Sequence, residues 1–178
     1  MAKKKKPAKK AAVRAKSAAK KKVSPIPAGY GTVTPYLVCR NAAGAIAYYK
    51  KAFGAKERVK MLGPDGSIGH AELQIGNSVV MLGDENPGMG QTSPETVGGT
   101  SSGLFLYVDN VDKWYDRAIA AGAKSQMAPA DMFWGDRYCK FADPFGHQWS
   151  IATHIEDLTP KEMDRRGKEF FAQMEKGQ

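Results

Sequence analysis

Apolar residues along the chain recur with a period of two in some stretches and of three to four in others, and the order of those stretches predicts the elements. Val33 to Arg40 alternates as a strand; Ala42 to Phe53 follows with Ile46, Tyr49 and Phe53 at helical spacing until Gly54 stops it. Glu57 to Leu62, His70 to Ile75 and Ser78 to Leu82 read as three strands, divided by Gly63-Pro64-Asp65-Gly66 and Gly76-Asn77. From Asp84 to Ser102, Gly, Ser, Thr and Pro dominate without a period, which predicts a linker or loop. Leu104 to Val108 is then a strand, Val111 to Ala121 a helix ended by Gly122, and Lys124 to Met127 a short strand. Tyr138 to Ala142 and Gln148 to Ala152 close the pattern as strands on either side of the turn Asp143-Pro144-Phe145-Gly146.

The result is β-α-β-β-β twice, in modules of about 31–84 and 102–154. Ala52-Phe53-Gly54-Ala55-Lys56 closes the first helix and Ala120-Ala121-Gly122-Ala123-Lys124 the second, at an offset of 68 residues, as an internal duplication would leave it. Beyond the modules, Thr159-Pro160-Lys161-Glu162 has the form of a capping box and opens a helix within 156–178. Its Met163, Phe170, Phe171 and Met174 are suited to cover a groove on this chain or on a second copy.

Charge changes the picture at one end only. Residues 1–22 hold ten lysines and Arg14 with no acid, so a chain of net charge +9 leaves its other 156 residues at about −2. Residues 1–28 are too poor in large apolar side chains to offset the entropy of ordering and read as a disordered tail, with a domain over 29–155. The clusters Lys3, Lys4, Lys5, Lys6 and Lys20, Lys21, Lys22 resemble the Lys/Ala tails of histone-H1-like bacterial proteins. They suit non-specific contact with nucleic-acid phosphates by counterion release, or solubility alone. Two cysteines, Cys39 and Cys139, in no C-x-x-C spacing argue against a disulfide scaffold or structural zinc. No apolar run approaches the roughly 18 residues of a spanning helix, so no membrane partner is expected and a cytoplasmic location is, with association with the nucleoid as the alternative.

The tandem β-α-β-β-β order, the helix Ala45-Ile46-Ala47-Tyr48-Tyr49-Lys50-Lys51-Ala52-Phe53-Gly54-Ala55, the entry Val108-Asp109-Asn110-Val111 and the hairpin Asp143-Pro144-Phe145-Gly146-His147 together resemble the vicinal-oxygen-chelate superfamily of glyoxalases, bleomycin-resistance proteins and dioxygenases. Met132 to Tyr138 with Phe141 to Trp149 is similar to its PhnB-like branch. The resemblance covers residues 31–154 and implies an α+β fold in which each module gives one side of a curved, partly open mixed sheet. It also implies metal ligands on the first and fourth strand of each module, which fall here on Thr34, Met81, Gly103 and Ser150. A thioether, a glycine and two hydroxyls are poor donors for Zn, Ni, Fe or Mn, so no metal is expected at the usual place.

Strand alternation sets His70, Glu72 and Gln74 on the face opposite Ala71, Leu73 and Ile75, where a His beside a carboxylate offers general acid–base catalysis or merely a solvated polar face. Met81, Phe105, Tyr107 and Ser150 are expected on the concave side, Trp134 on a loop that closes over a ligand or joins the core, and His154 at the end of the last strand. His147 reads as a turn or supporting residue, and the cysteines as buried and inert. Three functions remain open. The first is a homodimeric binder of a small organic molecule in an aromatic pocket, with no cofactor. The second is a lyase or dioxygenase with a divalent metal relocated to His70, Glu72 and His154. The third is a nucleoid-associated protein acting through its tail.

Overall fold

The computed structural model describes residues 23–176. The two predicted modules form two four-stranded mixed sheets. In the first, β1 (Tyr36–Cys39) lies beside β4 (Ser78–Asp84), then β3 (Ile68–Ile75), then β2 (Lys56–Leu62), and only β1–β4 is parallel. The second repeats this as β5 (Gly103–Tyr107), β8 (Gln148–His154), β7 (Asp136–Ala142) and β6 (Lys124–Asp131). Tyr36 stands opposite Met81 and Phe105 opposite Ser150, the same sequence separation in each module. The repeat seen at the helix ends thus extends through the strand register.

Helices α1 (Ala42–Phe53) and α3 (Val111–Ala120) pack on one face of their own sheets and on each other. Each is started by an asparagine: Asn41 accepts from Gly44 N and Asn110 from Lys113 N. The core runs across the module boundary: Phe53 of α1 lies 4.7 Å from Trp149 of β8 and 5.9 Å from Trp114 of α3, ring centre to ring centre. Trp149, Tyr49, Phe141, Leu73, Leu82 and Ile151 are fully buried, each worth about 1.5–3 kcal/mol of transfer free energy. The polar heart of this core is Asp143, whose carboxylate accepts from Tyr49 Oη (2.7 Å), Trp149 Nε1 (2.9 Å) and the backbone N–H of Phe145 and His147 (both 2.9 Å). A buried carboxylate with four donors is satisfied, and it welds the hairpin turn to α1.

Several boundaries differ from expectation for local reasons. β1 starts at Tyr36 rather than Val33, because Pro35 has no N–H and pairs only through its carbonyl, to Met81 N. β6 runs eight residues instead of four and accommodates Pro129 because it is an edge strand. The stretch expected to be structureless holds a 3-10 turn at Pro87–Met89 and a short α2 (Pro94–Val97), anchored where Glu85 accepts from the buried Ser93 N–H at 2.6 Å. Part of the expected disordered tail also has a defined course: Tyr30 N bonds Pro27 O, and Pro25 to Pro27 lie beside Glu72 and Met81 of the first sheet. The tail lysines Lys3 to Lys6 and Lys20 to Lys22 lie outside the described residues. Among those described, no helix is long and apolar enough to cross a membrane.

Helix α4 (Pro160–Lys176) begins as its cap predicts, with Thr159 Oγ1 accepting from Glu162 N at 3.2 Å. The Glu162 carboxylate turns to Arg165 and Arg166 instead of closing the box. On its own chain Phe170 and Phe171 contact Phe133 and the Gly167 Cα leaves room for that ring, while Met163, Phe171 and Met174 remain exposed.

Candidate functional site

The faces of the sheets turned away from α1 and α3 are open except where residues 25–34 lie along the first, and the period of two decides what they carry. Across the first sheet, register places Tyr36, Met81, Glu72 and Val59 in one row. Across the second, it places Phe105, Ser150, Lys140 and Met127 in one row, with Tyr107, Ala152, Tyr138 and Ala130 in the next. His70, Glu72, Met81, Phe105, Tyr107 and Ser150 thus stand on the free faces, as alternation requires.

On the first module, Glu72 is buried and is the centre of a small network. Its carboxylate accepts from Tyr30 Oη and meets His70 Nε2 at 3.2 Å, and His70 stacks on Tyr36 with centroids 5.9 Å apart. Tyr30's hydroxyl lowers the Glu72 pKa, His70 adding to the effect, and the same bond raises that of Tyr30. Arg58 sits over the Tyr30 ring, 4.7 Å from its centre. Gln74 does not join the network, because its amide donates to Gly76 O in the adjoining turn.

On the second module the aromatic residues touch one another: Phe105 lies 5.0 Å from Tyr107 and 5.9 Å from Tyr138, and Trp134 meets Tyr138 edge-on at 5.7 Å. Ser150 Oγ is 2.8 Å from Tyr138 Oη. Asp136, 3% exposed, holds this wall together. It accepts from Tyr107 Oη and Trp134 Nε1 (both 3.0 Å) and meets His154 Nδ1 at 2.8 Å; His154 Nε2 faces Asp157 at 3.1 Å. Hydrogen bonding to Asp136, then to Asp157, raises the His154 pKa, and Asp136 likewise raises that of Tyr107.

Trp134 owes its place to its neighbours in the turn. Phe133 is taken by α4, and Gly135, at φ +91°, accepts from the N–H groups of Ile155 and Glu156 at 3.0 Å. The indole is left on the side of the aromatic wall.

The residues at the metal positions do not fit a metal. Thr34, Met81, Gly103 and Ser150, with Tyr36 and Phe105, provide no imidazole or carboxylate, and the Ser150 hydroxyl is engaged by Tyr138; the carboxylate directly opposed to Met81, that of Glu72, already accepts from Tyr30 and meets His70. His70 and Glu72 lie on β3 with Tyr30, and His154 on β8 with Asp136 and Asp157, so one chain assembles two separate networks rather than one. Among the described residues no three His, Cys, Asp or Glu gather in a metal-holding group.

His147 is a buried supporting residue, its Nε2 3.7 Å from Cys39 Sγ, and burial lowers its pKa. Cys39 has a histidine neighbour after all, supplied by the fold rather than by sequence proximity. Burial raises its thiol pKa, so the pair is not an activated nucleophile. Sequence reasoning missed Tyr36, Tyr138, Asp136 and Tyr30. Alternation opposite Leu37 and Cys139 signals the first two; the roles of Asp136 and Tyr30 depend on contacts from other elements.

Comparison with known proteins gives a consistent picture. The profile described as Glyoxalase/Bleomycin resistance protein/Dioxygenase superfamily matches residues 30–151. An uncharacterised protein of Mycobacterium tuberculosis is 42% identical over 134 residues, 74% of this chain and 79% of that protein. Protein YjdN of Escherichia coli is 30% identical over 145 residues, 67% of this chain and 92% of its own. Among solved structures, TioX from Micromonospora sp. ML1 aligns with a TM-score of 0.55 at 25% identity, covering 70% of this chain and 99% of its own. The fosfomycin resistance protein FosX from Listeria monocytogenes, solved with Mn(II) and 1S,2S-dihydroxypropylphosphonic acid, shares the fold alone: 17% identity, TM-score 0.55, 76% of this chain and 96% of its own.

Proposed function

Because the chain belongs to the glyoxalase/bleomycin resistance protein/dioxygenase superfamily, we propose that it is a PhnB-like member of it that binds a small organic molecule on its concave faces without a metal. The observation that carries this reading is the aromatic wall of Phe105, Tyr107, Tyr138 and Trp134, braced by a buried Asp136, beside positions that offer no metal donors. Aromatic faces supply stacking and apolar area to a ligand, and bracing lowers the ordering cost of binding.

We assign the site to a homodimer. Phe105 is 49% and Tyr107 67% exposed on one module, Met61 60% and Leu62 62% on the other, which is more apolar surface than a lone subunit gains by showing. A second copy that lays its first module over this chain's second would close both walls round one ligand. A reaction at the same place has one observation in its favour, the 3.2 Å His70–Glu72 contact, which suits proton transfer.

Native mass spectrometry with elemental analysis, on full chain purified without chelator, tests the reading. A metal-free dimer, with or without a bound organic molecule, is expected. One transition metal per site, lost on His70→Ala, would overturn it in favour of a lyase or dioxygenase.

A further inference from the structure

The first module's face turned away from α1 holds a buried acid, Glu72, that among the described residues has no lysine or arginine salt bridge. A cavity of about 430 Å³ opens between this sheet and the arm of residues 25–34, within the size range of small-molecule sites. Ile26, Pro27, Tyr30, Thr34 and Met81 give it largely apolar walls, and among the described residues Glu72 is the only charged one that lines it. Glu72 is 8% exposed, and its carboxylate has about four lone-pair positions. Tyr30 takes one and His70 another. Arg58 lies over the Tyr30 ring and acts on Glu72 only through its charge, without a hydrogen bond, and among the described residues Glu72 has no lysine or arginine salt bridge. Burying a carboxylate without a full counter-charge is costly, and the cost falls when a bound molecule brings the missing donors.

We propose that this cavity takes a small apolar molecule bearing a protonated amine, with the ammonium on the free lone pairs of Glu72 and the body against Ile26, Pro27, Thr34 and Met81. The proposal rests on the reading of the concave face as a ligand site and adds the chemical class of the ligand. An anionic molecule meets the wrong sign at the cavity floor, and a neutral alcohol gains an uncharged hydrogen bond only.

Three probes that share a body and differ in charge decide it: phenethylamine, 2-phenylethanol and phenylacetate, each titrated into isotopically labelled full chain and followed by amide chemical shifts. The amine is expected to move Thr34, Glu72 and Met81 and to bind about tenfold tighter than the alcohol, the margin of one charge-assisted hydrogen bond. Phenylacetate is expected to be weakest, and Glu72→Gln to bring amine and alcohol together. Should that variant not fold, Tyr30→Phe, which frees a lone pair on Glu72, is expected to keep or widen the preference for amine. Equal binding of amine and alcohol at these residues would overturn the charge preference and leave the concave site standing. A preference for amine that survives Glu72→Gln, or is lost in Tyr30→Phe, would overturn the role of Glu72. No shift with any probe at millimolar concentration would overturn the concave site as well.

Discussion

Replacing Asp136 tests whether the aromatic wall is braced or merely adjacent. In Asp136→Ala, three donors lose one acceptor: Tyr107 Oη and Trp134 Nε1 at 3.0 Å and His154 Nδ1 at 2.8 Å. A hydrogen bond to a charged acceptor contributes about 1.5–3 kcal/mol, and a donor that water can reach recovers most of that. Tyr107 is 67% exposed and rehydrates, whereas the indole N–H sits in a turn pinned by α4 and by Gly135. The expected loss is therefore about 3 kcal/mol in all, roughly a 6–12 °C fall in Tm for a chain of this size. Asp136→Asn keeps the volume and one acceptor oxygen and is expected to lose about half as much. Urea unfolding followed by far-UV circular dichroism measures both, with m unchanged if the native state keeps its compactness. Midpoints that place both variants within about 0.5 kcal/mol of wild type, the range of ordinary surface changes, would refute the bracing argument.

The His154–Asp136 contact is pH-dependent with a definite sign. Its folded pKa is raised, so its stabilisation is complete below the unfolded value of about 6.5 and is lost as pH rises through the folded value. The stability difference between wild type and His154→Gln should shrink steadily from pH 6 to pH 9; a constant difference would count against the contact. Gly135→Ala puts a Cβ at φ +91° and 2.3 Å from the Glu156 carbonyl oxygen, and is expected to cost more than about 1 kcal/mol and to loosen α4, read by amide exchange. Cys39 and Cys139 are both buried with raised thiol pKa values, so a thiol reagent should find neither in the native protein and both in urea. Fast native labelling would contradict the packing.

Elements were legible wherever a period could form. Alternation puts His70, Glu72, Met81, Phe105 and Tyr107 on the face turned away from the helices, because a strand allows its residues only two sides. It does not say where a side chain turns back to the local backbone, as Gln74 does to Gly76 O, or where order comes from a local side-chain contact, as Glu85 gives Ser93 in the stretch expected to be loop. The networks at Glu72 and Asp136 were not legible. Tyr30 reaches Glu72 across 42 residues and Tyr107 reaches Asp136 across 29, and neither distance leaves a periodic trace.

The duplication itself says which face has been specialised. Toward the helices the central rows still correspond, Leu37, Leu82 and Ala71 in one module and Leu106, Ile151 and Cys139 in the other, all small or apolar. On the opposite faces the matching rows keep their kind at the ends, Tyr36 against Phe105 and Val59 against Met127, and part in the middle, Met81 and Glu72 against Ser150 and Lys140. A shared metal centre would hold both modules to the same kind of donor at the same register, since a metal fixes ligand type and distance together. An asymmetric organic ligand makes no such demand. The small organic molecule proposed above would meet two unlike walls, one aromatic and one with an acid at its floor.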